Sequence, residues 1–154
     1  MTRDEWIANR IHWKARGYTL PAEFTHVFPE VAEPYSELLT QNAQKHNAGV
    51  PVLAFTQTAE HWTLLATQKI ISQYDDSMHL FDLATFDDAK PDGWMVAGKN
   101  PKQDSQYLDL MSVNGPVVRV WAPPGAALFA LWNILRMFPF NSKASGPPPA
   151  ATTH

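Results

Sequence analysis

From Val50 onward the hydrophobic pattern has a period of two. Val50, Val52 and Ala54 alternate with Leu53 and Phe55, and Trp62, Leu64 and Ala66 alternate with Thr63, Leu65 and Thr67. Alternation of this kind places successive side chains on opposite faces of a strand. A third run opens at Ile70 and Ile71 and ends near Tyr74, a fourth spans Met78 to Ala84, and a short fifth spans Trp94 to Ala97. Tyr107 to Val113 and Val117 to Ala122 complete seven predicted strands. Asp75-Asp76-Ser77 reads as a turn by composition. Asn114-Gly115 carries the strongest hairpin signal, because both residues tolerate the positive φ of a type I′ turn. On the last strand Val118 and Val120 point one way and Arg119 and Trp121 the other.

Pro123-Pro124-Gly125 ends the strands and prepares a helix start. Leu128, Leu131, Trp132, Leu135 and Phe138 then follow helical spacing, with Phe129, Ile134 and Met137 off that stripe. A helix apolar on more than one face needs cover on two sides. Before residue 49 the pattern is helical. Thr2 and Glu5 form a capping box ahead of Ile7 and Ile11, and Gly17 suits a C-cap. Pro21, Pro29 and Pro34 break the next stretch, and a second helix is expected from Pro34 or Ser36 to about Asn47, stopped by Gly49. The segment from Lys99 to Gln106 is polar and expected to be exposed. The proline- and alanine-rich end cannot repay its ordering entropy by burial and is expected to be disordered. The expected organisation is therefore a helical extension over 1–48, a β-rich domain over 49–138 and a tail over 139–154.

This order resembles the bacterial pleckstrin-homology-like (PH-like) domains over residues 50–138. Pro51-Val-Leu-Ala-Phe55 is similar to that family's first strand. Trp62-Thr-Leu-Leu-Ala-Thr-Gln-Lys-Ile-Ile71 is similar to its W-x-L-L-T-x-x-K/R-L-I hairpin. Met78-His-Leu-Phe-Asp-Leu-Ala-Thr-Phe86 is similar to its fourth strand, and the Asn114-Gly115 hairpin and tryptophan-bearing helix follow in order. The resemblance implies an α+β, mainly β fold: a seven-stranded antiparallel sheet or partly open barrel, capped by the C-terminal helix, here with an N-terminal helical extension. It also implies a module that binds through loops, a sheet edge and a helix flank. The connection from 85 to 106 is richer in Asp and Pro than the family pattern.

The residues argue against most chemistry. With no cysteine there is no disulfide, thiolate metal site or cysteine nucleophile. The six histidines show neither His-x₃-His nor His-Glu-x-x-His spacing, so no metal and no other cofactor is expected; a site built from His61 and His79 with nearby aspartates has nothing to fix its geometry. There is no Gly-x-Ser-x-Gly elbow and no phosphate loop, so no catalytic residue is assigned and the chain is read as non-enzymatic. A formal net charge of −3 disfavours nucleic acid. Phosphoinositide recognition is not expected either, since the loop Thr56–His61 has no Lys or Arg. No apolar run reaches the length of a membrane span, and no signal-like segment opens the chain, so no membrane insertion and a cytoplasmic location are expected.

What remains is binding. Residues 51–100 carry three Lys/Arg against seven Asp/Glu, a local charge of −4 suited to a basic partner. The predicted contact residues are Asp75, Asp76, Asp87 and Asp88, together with Trp121 and Arg119, the residue types that dominate interface energies. The expected function is a protein-binding module; a toxin-neutralising, immunity-type protein is one form, by analogy of fold and size only. Two alternatives stand beside it. One is a small-ligand or enzymatic protein with a pocket between the N-terminal helices and the barrel. The other is a homo-oligomeric scaffold assembled through sheet edges and the apolar helix.

Overall fold

A computed structural model describes residues 2–18, 20, 24–92 and 105–140. The first helix, α1 (Arg3–Arg16), starts where the sequence places it: the Thr2 hydroxyl accepts from the Glu5 amide at 3.1 Å. A short strand, β1 (Thr25–Val27), follows, and then α2 (Tyr35–Lys45). The expectation of a purely helical extension over 1–48 is corrected here. β1 pairs antiparallel with β2 (Pro51–Thr58), Thr25 opposite Phe55, and so extends the sheet. Three residues cannot build a periodic signal, which is why this strand is silent in the sequence.

β3 (His61–Ala66), β4 (Lys69–Tyr74) and β5 (Ser77–Asp82) complete a five-stranded antiparallel sheet in the order β1-β2-β3-β4-β5. A 3₁₀ turn over Leu83–Thr85, capped by the Asp82 carboxylate on the Ala84 amide, leads to β6 (Phe86–Pro91). With β7 (Tyr107–Ser112) and β8 (Val118–Trp121) it forms a second, three-stranded sheet. The last helix is α3 (Ala126–Leu135), entered through Gly125 at φ +89°. The molecule is thus an α+β protein whose described residues form three helices and eight antiparallel strands in two open sheets.

Two further expectations are corrected. A strand occupies Phe86–Pro91, inside what the sequence reads as a connection; two aspartates, a lysine and a proline hide its alternation. The short strand expected at Trp94–Ala97, residues 99–104 of the expected polar loop, and the tail from Asn141 lie outside the described residues. Within that loop Ser105 is buried, its hydroxyl bonded to the Asp92 carbonyl at 2.5 Å, and Gln106 is exposed. The turn expected at Asp75-Asp76-Ser77 forms, and it, rather than Asn114-Gly115, is the tight two-residue one. Asp75 and Asp76, at φ +51° and +59°, connect β4 to β5, with Tyr74 opposite Ser77. These are the left-handed values of a type I′ turn, which aspartate tolerates. Asn114 and Gly115 lie instead in a longer loop between β7 and β8, with neither residue at positive φ.

The first sheet is covered on both faces. Leu53, Phe55, Leu65, Ile70 and Phe81 face the main core with β6–β8, α1 and α3. Ala54, Trp62, Leu64, Ala66 and Ile71 face the other way, under Leu39 and Ala43 of α2. Double burial explains why β2 reads as nearly continuous hydrophobic sequence. The double-faced helix α3 finds its two covers in α1 and the second sheet: Ala127, Leu128, Ala130, Leu131, Ile134 and Leu135 are all buried. Each fully buried Leu or Ile there contributes about 1.5–3 kcal/mol.

Candidate functional site

An antiparallel sheet that does not close leaves edges, and each edge carries backbone donors and acceptors that must go somewhere. β8 is tied down from within. Its Trp121 amide bonds to Ser72 Oγ at 2.9 Å, its Trp121 carbonyl accepts from Thr63 Oγ1 at 2.6 Å, and its Arg119 carbonyl accepts from the Tyr74 hydroxyl at 2.7 Å. Thr63 and Ser72 are themselves paired at 2.7 Å. β6 is tied by Trp132, whose indole N–H reaches the Ala89 carbonyl at 2.7 Å. β1 is only three residues long.

β5 differs. Because Tyr74 and Ser77 flank a two-residue turn, they form a hydrogen-bonded pair, and bonding alternates along the hairpin. Ser77, His79 and Phe81 therefore address β4, whereas the amides and carbonyls of Met78 and Leu80 point off the sheet. Among the described residues neither Met78 nor Leu80 has a further backbone partner. Beside this edge lies an open groove of about 600 Å³, walled by Leu80, Phe81, Val113, Pro116 and Val118. Val113, which lines it, is 70% exposed, and Val117 in the same β7–β8 loop is 60% exposed, unusual for valine.

Acids bracket the edge. Asp75 and Asp76 are exposed at its start, and Asp82 is exposed at its end. Asp87 is exposed on β6, while the Asp88 carboxylate turns back onto the Ala89 amide at 2.8 Å. The six predicted contact residues are thus divided: Asp75 and Asp76 sit at one end of β5, and Asp87 and Asp88 follow its other end beyond the 3₁₀ turn. Arg119 is exposed but already engaged. Asp109, its cross-strand partner, takes both its Nε and Nη2 at 2.7 and 3.0 Å, and this pairing holds the guanidinium above its usual pKa. Lys69, opposite Asp82 at the other end of β4, donates from its ammonium to the His46 carbonyl at 2.8 Å.

Trp121 is corrected as a surface contact. It is 3% exposed, its ring 4.5 Å from that of His61 in an edge-on arrangement. The side chain shares a parity with Arg119, but packing beside β3 removes it from solvent. Around it Tyr74 stacks on His79 at 4.3 Å and lies 5.2 Å from Tyr107. Trp121 Nε1, His61 Nε2 and His79 Nε2 are buried with no hydrogen-bond partner. Burial, against a weaker pull from Asp75, lowers the His61 pKa. Among the described residues no three His, Asp or Glu side chains gather as a metal site. None of the described helices is long and apolar enough to cross a membrane.

A second groove, about 430 Å³, lies between α1 and β1, lined by His12, Arg16 and Glu30 over apolar Ala15, Leu20, Val27 and Phe28. Burial lowers the His12 pKa, and its Nε2 has no partner. Sequence reasoning named the region but not these residues, since His12 and Val27 meet only through tertiary packing. Met78 and Leu80 were missed because an open edge is a property of pairing, not of composition. No family model, curated protein or solved structure matches this chain.

Proposed function

We propose that this chain is a non-catalytic, PH-like binding module that recognises a basic protein partner. The observation that carries the reading is the acidic bracket around β5: Asp75 and Asp76 stand exposed at one end and Asp82 at the other, while Arg119 is paired with Asp109 and Lys69, across from Asp82, donates to the His46 carbonyl. A surface richer in acids than in bases attracts opposite charge and raises association rates. The order of four strands (β2–β5), three strands (β6–β8) and a closing helix supports the PH-like part of the proposal, with α1, β1 and α2 as additions.

The test compares the native chain with the Asp75→Asn/Asp76→Asn double variant, which keeps residues that tolerate the turn. Cross-linking and mass spectrometry at physiological salt should recover a basic protein from the native bait and several-fold less from the variant. Equal recovery on both baits, or none on either, overturns the reading. The groove between α1 and β1 favours a second reading, a small acidic ligand held by Arg16 and His12. Ligand-observed NMR with a carboxylate fragment set should then report His12 and Val27 as the contact, and shifts confined elsewhere would remove it.

A further inference from the structure

We infer that β5 is an acceptor strand: a partner polypeptide docks by adding an extended, basic segment to its free edge. The inference rests on the protein-binding reading above and specifies how binding occurs. Its warrant is the accounting of edges. Hydroxyls from Thr63, Ser72 and Tyr74 close β8, and the Trp132 indole bonds to β6. β5, six residues long, keeps the outward amides and carbonyls of Met78 and Leu80 without a partner among the described residues. Added strands gain affinity from such main-chain groups and specificity from pockets for alternate side chains. The groove of about 600 Å³ between Leu80, Phe81 and Val113, Pro116, Val118 offers that pocket for an apolar side chain.

Charge selects the occupant. Asp82 lines the groove, no lysine, arginine or histidine does, and Asp75 and Asp76 stand at the opposite end of the strand. A second copy of this chain would bring its own acids against these, since edge-to-edge pairing of two β5 strands juxtaposes like charges. A strand in which Lys or Arg alternates with Val, Ile or Leu meets opposite charge at both ends and fills the groove at the Asp82 end.

The probe is a capped heptapeptide, Lys-Val-Lys-Val-Lys-Val-Lys, titrated into the ¹⁵N-labelled full chain. The Met78 and Leu80 amides should shift and gain exchange protection, whereas a peptide of the same sequence N-methylated at alternate amides should not bind. Met78→Pro removes an outward N–H without breaking a β4 bond, a substitution that an edge strand accommodates. It should weaken binding about tenfold. Asp75→Asn/Asp76→Asn, which keeps the turn, should weaken it about three- to tenfold and reduce its salt dependence. Absence of shifts on β5 at millimolar peptide, or unchanged affinity in Met78→Pro with its fold intact, overturns strand addition. So does a homodimer that Met78→Pro abolishes, which would make the second copy the occupant. If a cross-linked basic partner survives Met78→Pro but not the aspartate variant, strand addition fails while the protein-binding reading stands.

Discussion

The Tyr74 hydroxyl of β4 donates a 2.7 Å hydrogen bond to the carbonyl of Arg119 on β8. That one bond joins the face of the larger sheet to the edge of the smaller one. Burial, reinforced by neighbouring Tyr107, pushes the Tyr74 pKa up to about 12. The unfolded chain ionises first, near 10, so stability is full below pH 10 and falls as pH rises towards 12. Tyr74→Phe keeps the ring stacked on His79 but strands the carbonyl, at about 1 kcal/mol. Urea denaturation at pH 7 should show that loss, and absorbance at 295 nm should show one late-titrating tyrosine that the variant lacks. An unchanged titration curve would refute the assignment.

The Trp132–Ala89 bond tests how the second edge is closed. Trp132→Phe preserves an aromatic ring but loses the donor to β6, and should cost about 1–3 kcal/mol. Native-state hydrogen exchange should quicken on β6 more than on β3. Uniform quickening would mean that the side chain acts only through packing on α3.

Gly49 and Gly125 share a left-handed backbone but differ in space. Gly49, at φ +91°, would place a Cβ against Thr67 Oγ1 and 2.6 Å from Gln68 Cγ; Gly125, at φ +89°, has open space around it. Gly125→Ala therefore pays strain alone, about 1–2 kcal/mol, and Gly49→Ala pays strain plus a clash, about 2–4 kcal/mol. Thermal melts should rank them in that order, and equal losses would count against the close approach at Gly49.

Acid should loosen the fold before carboxylates titrate. His12, His26 and His61 all have pKa values lowered by burial. The unfolded state then binds protons more readily, so stability holds above pH 6.5 and declines as pH falls through the lowered native values. Guanidinium midpoints should fall between pH 7.5 and 5.5, and His61→Gln should flatten part of that slope. A midpoint constant across this range would contradict the burial of the three rings.

Much of the architecture was legible because it is written in local patterns. Period-two runs mark β2–β4, the Thr2–Glu5 spacing marks the start of α1, and helical spacing on two faces marks α3 as a segment needing double cover. β6 was illegible because Asp87, Asp88, Lys90 and Pro91 mask a strand held by its neighbours. Composition marks both turns but not which is tight: Asn114-Gly115 has the better type I′ chemistry, yet Asp75 and Asp76, between β4 and β5, are the pair that takes positive φ. For the site, Asp75 and Asp76 are legible as exposed turn residues, whereas Asp82 is not among the predicted contacts and Trp121, read as a surface contact, is buried, since parity along a strand does not say which face a neighbouring strand will cover.

By itself the sequence determined the strand-rich middle, the helices at either end, the missing cysteines and the negative charge of the central region, all properties of composition and short-range period. Only the tertiary structure decided which backbone edges are spent and which is left open. Hydrogen bonds such as Thr63 to Trp121 and Trp132 to Ala89 join residues far apart in the chain, and such pairings exist only after the sheets have packed.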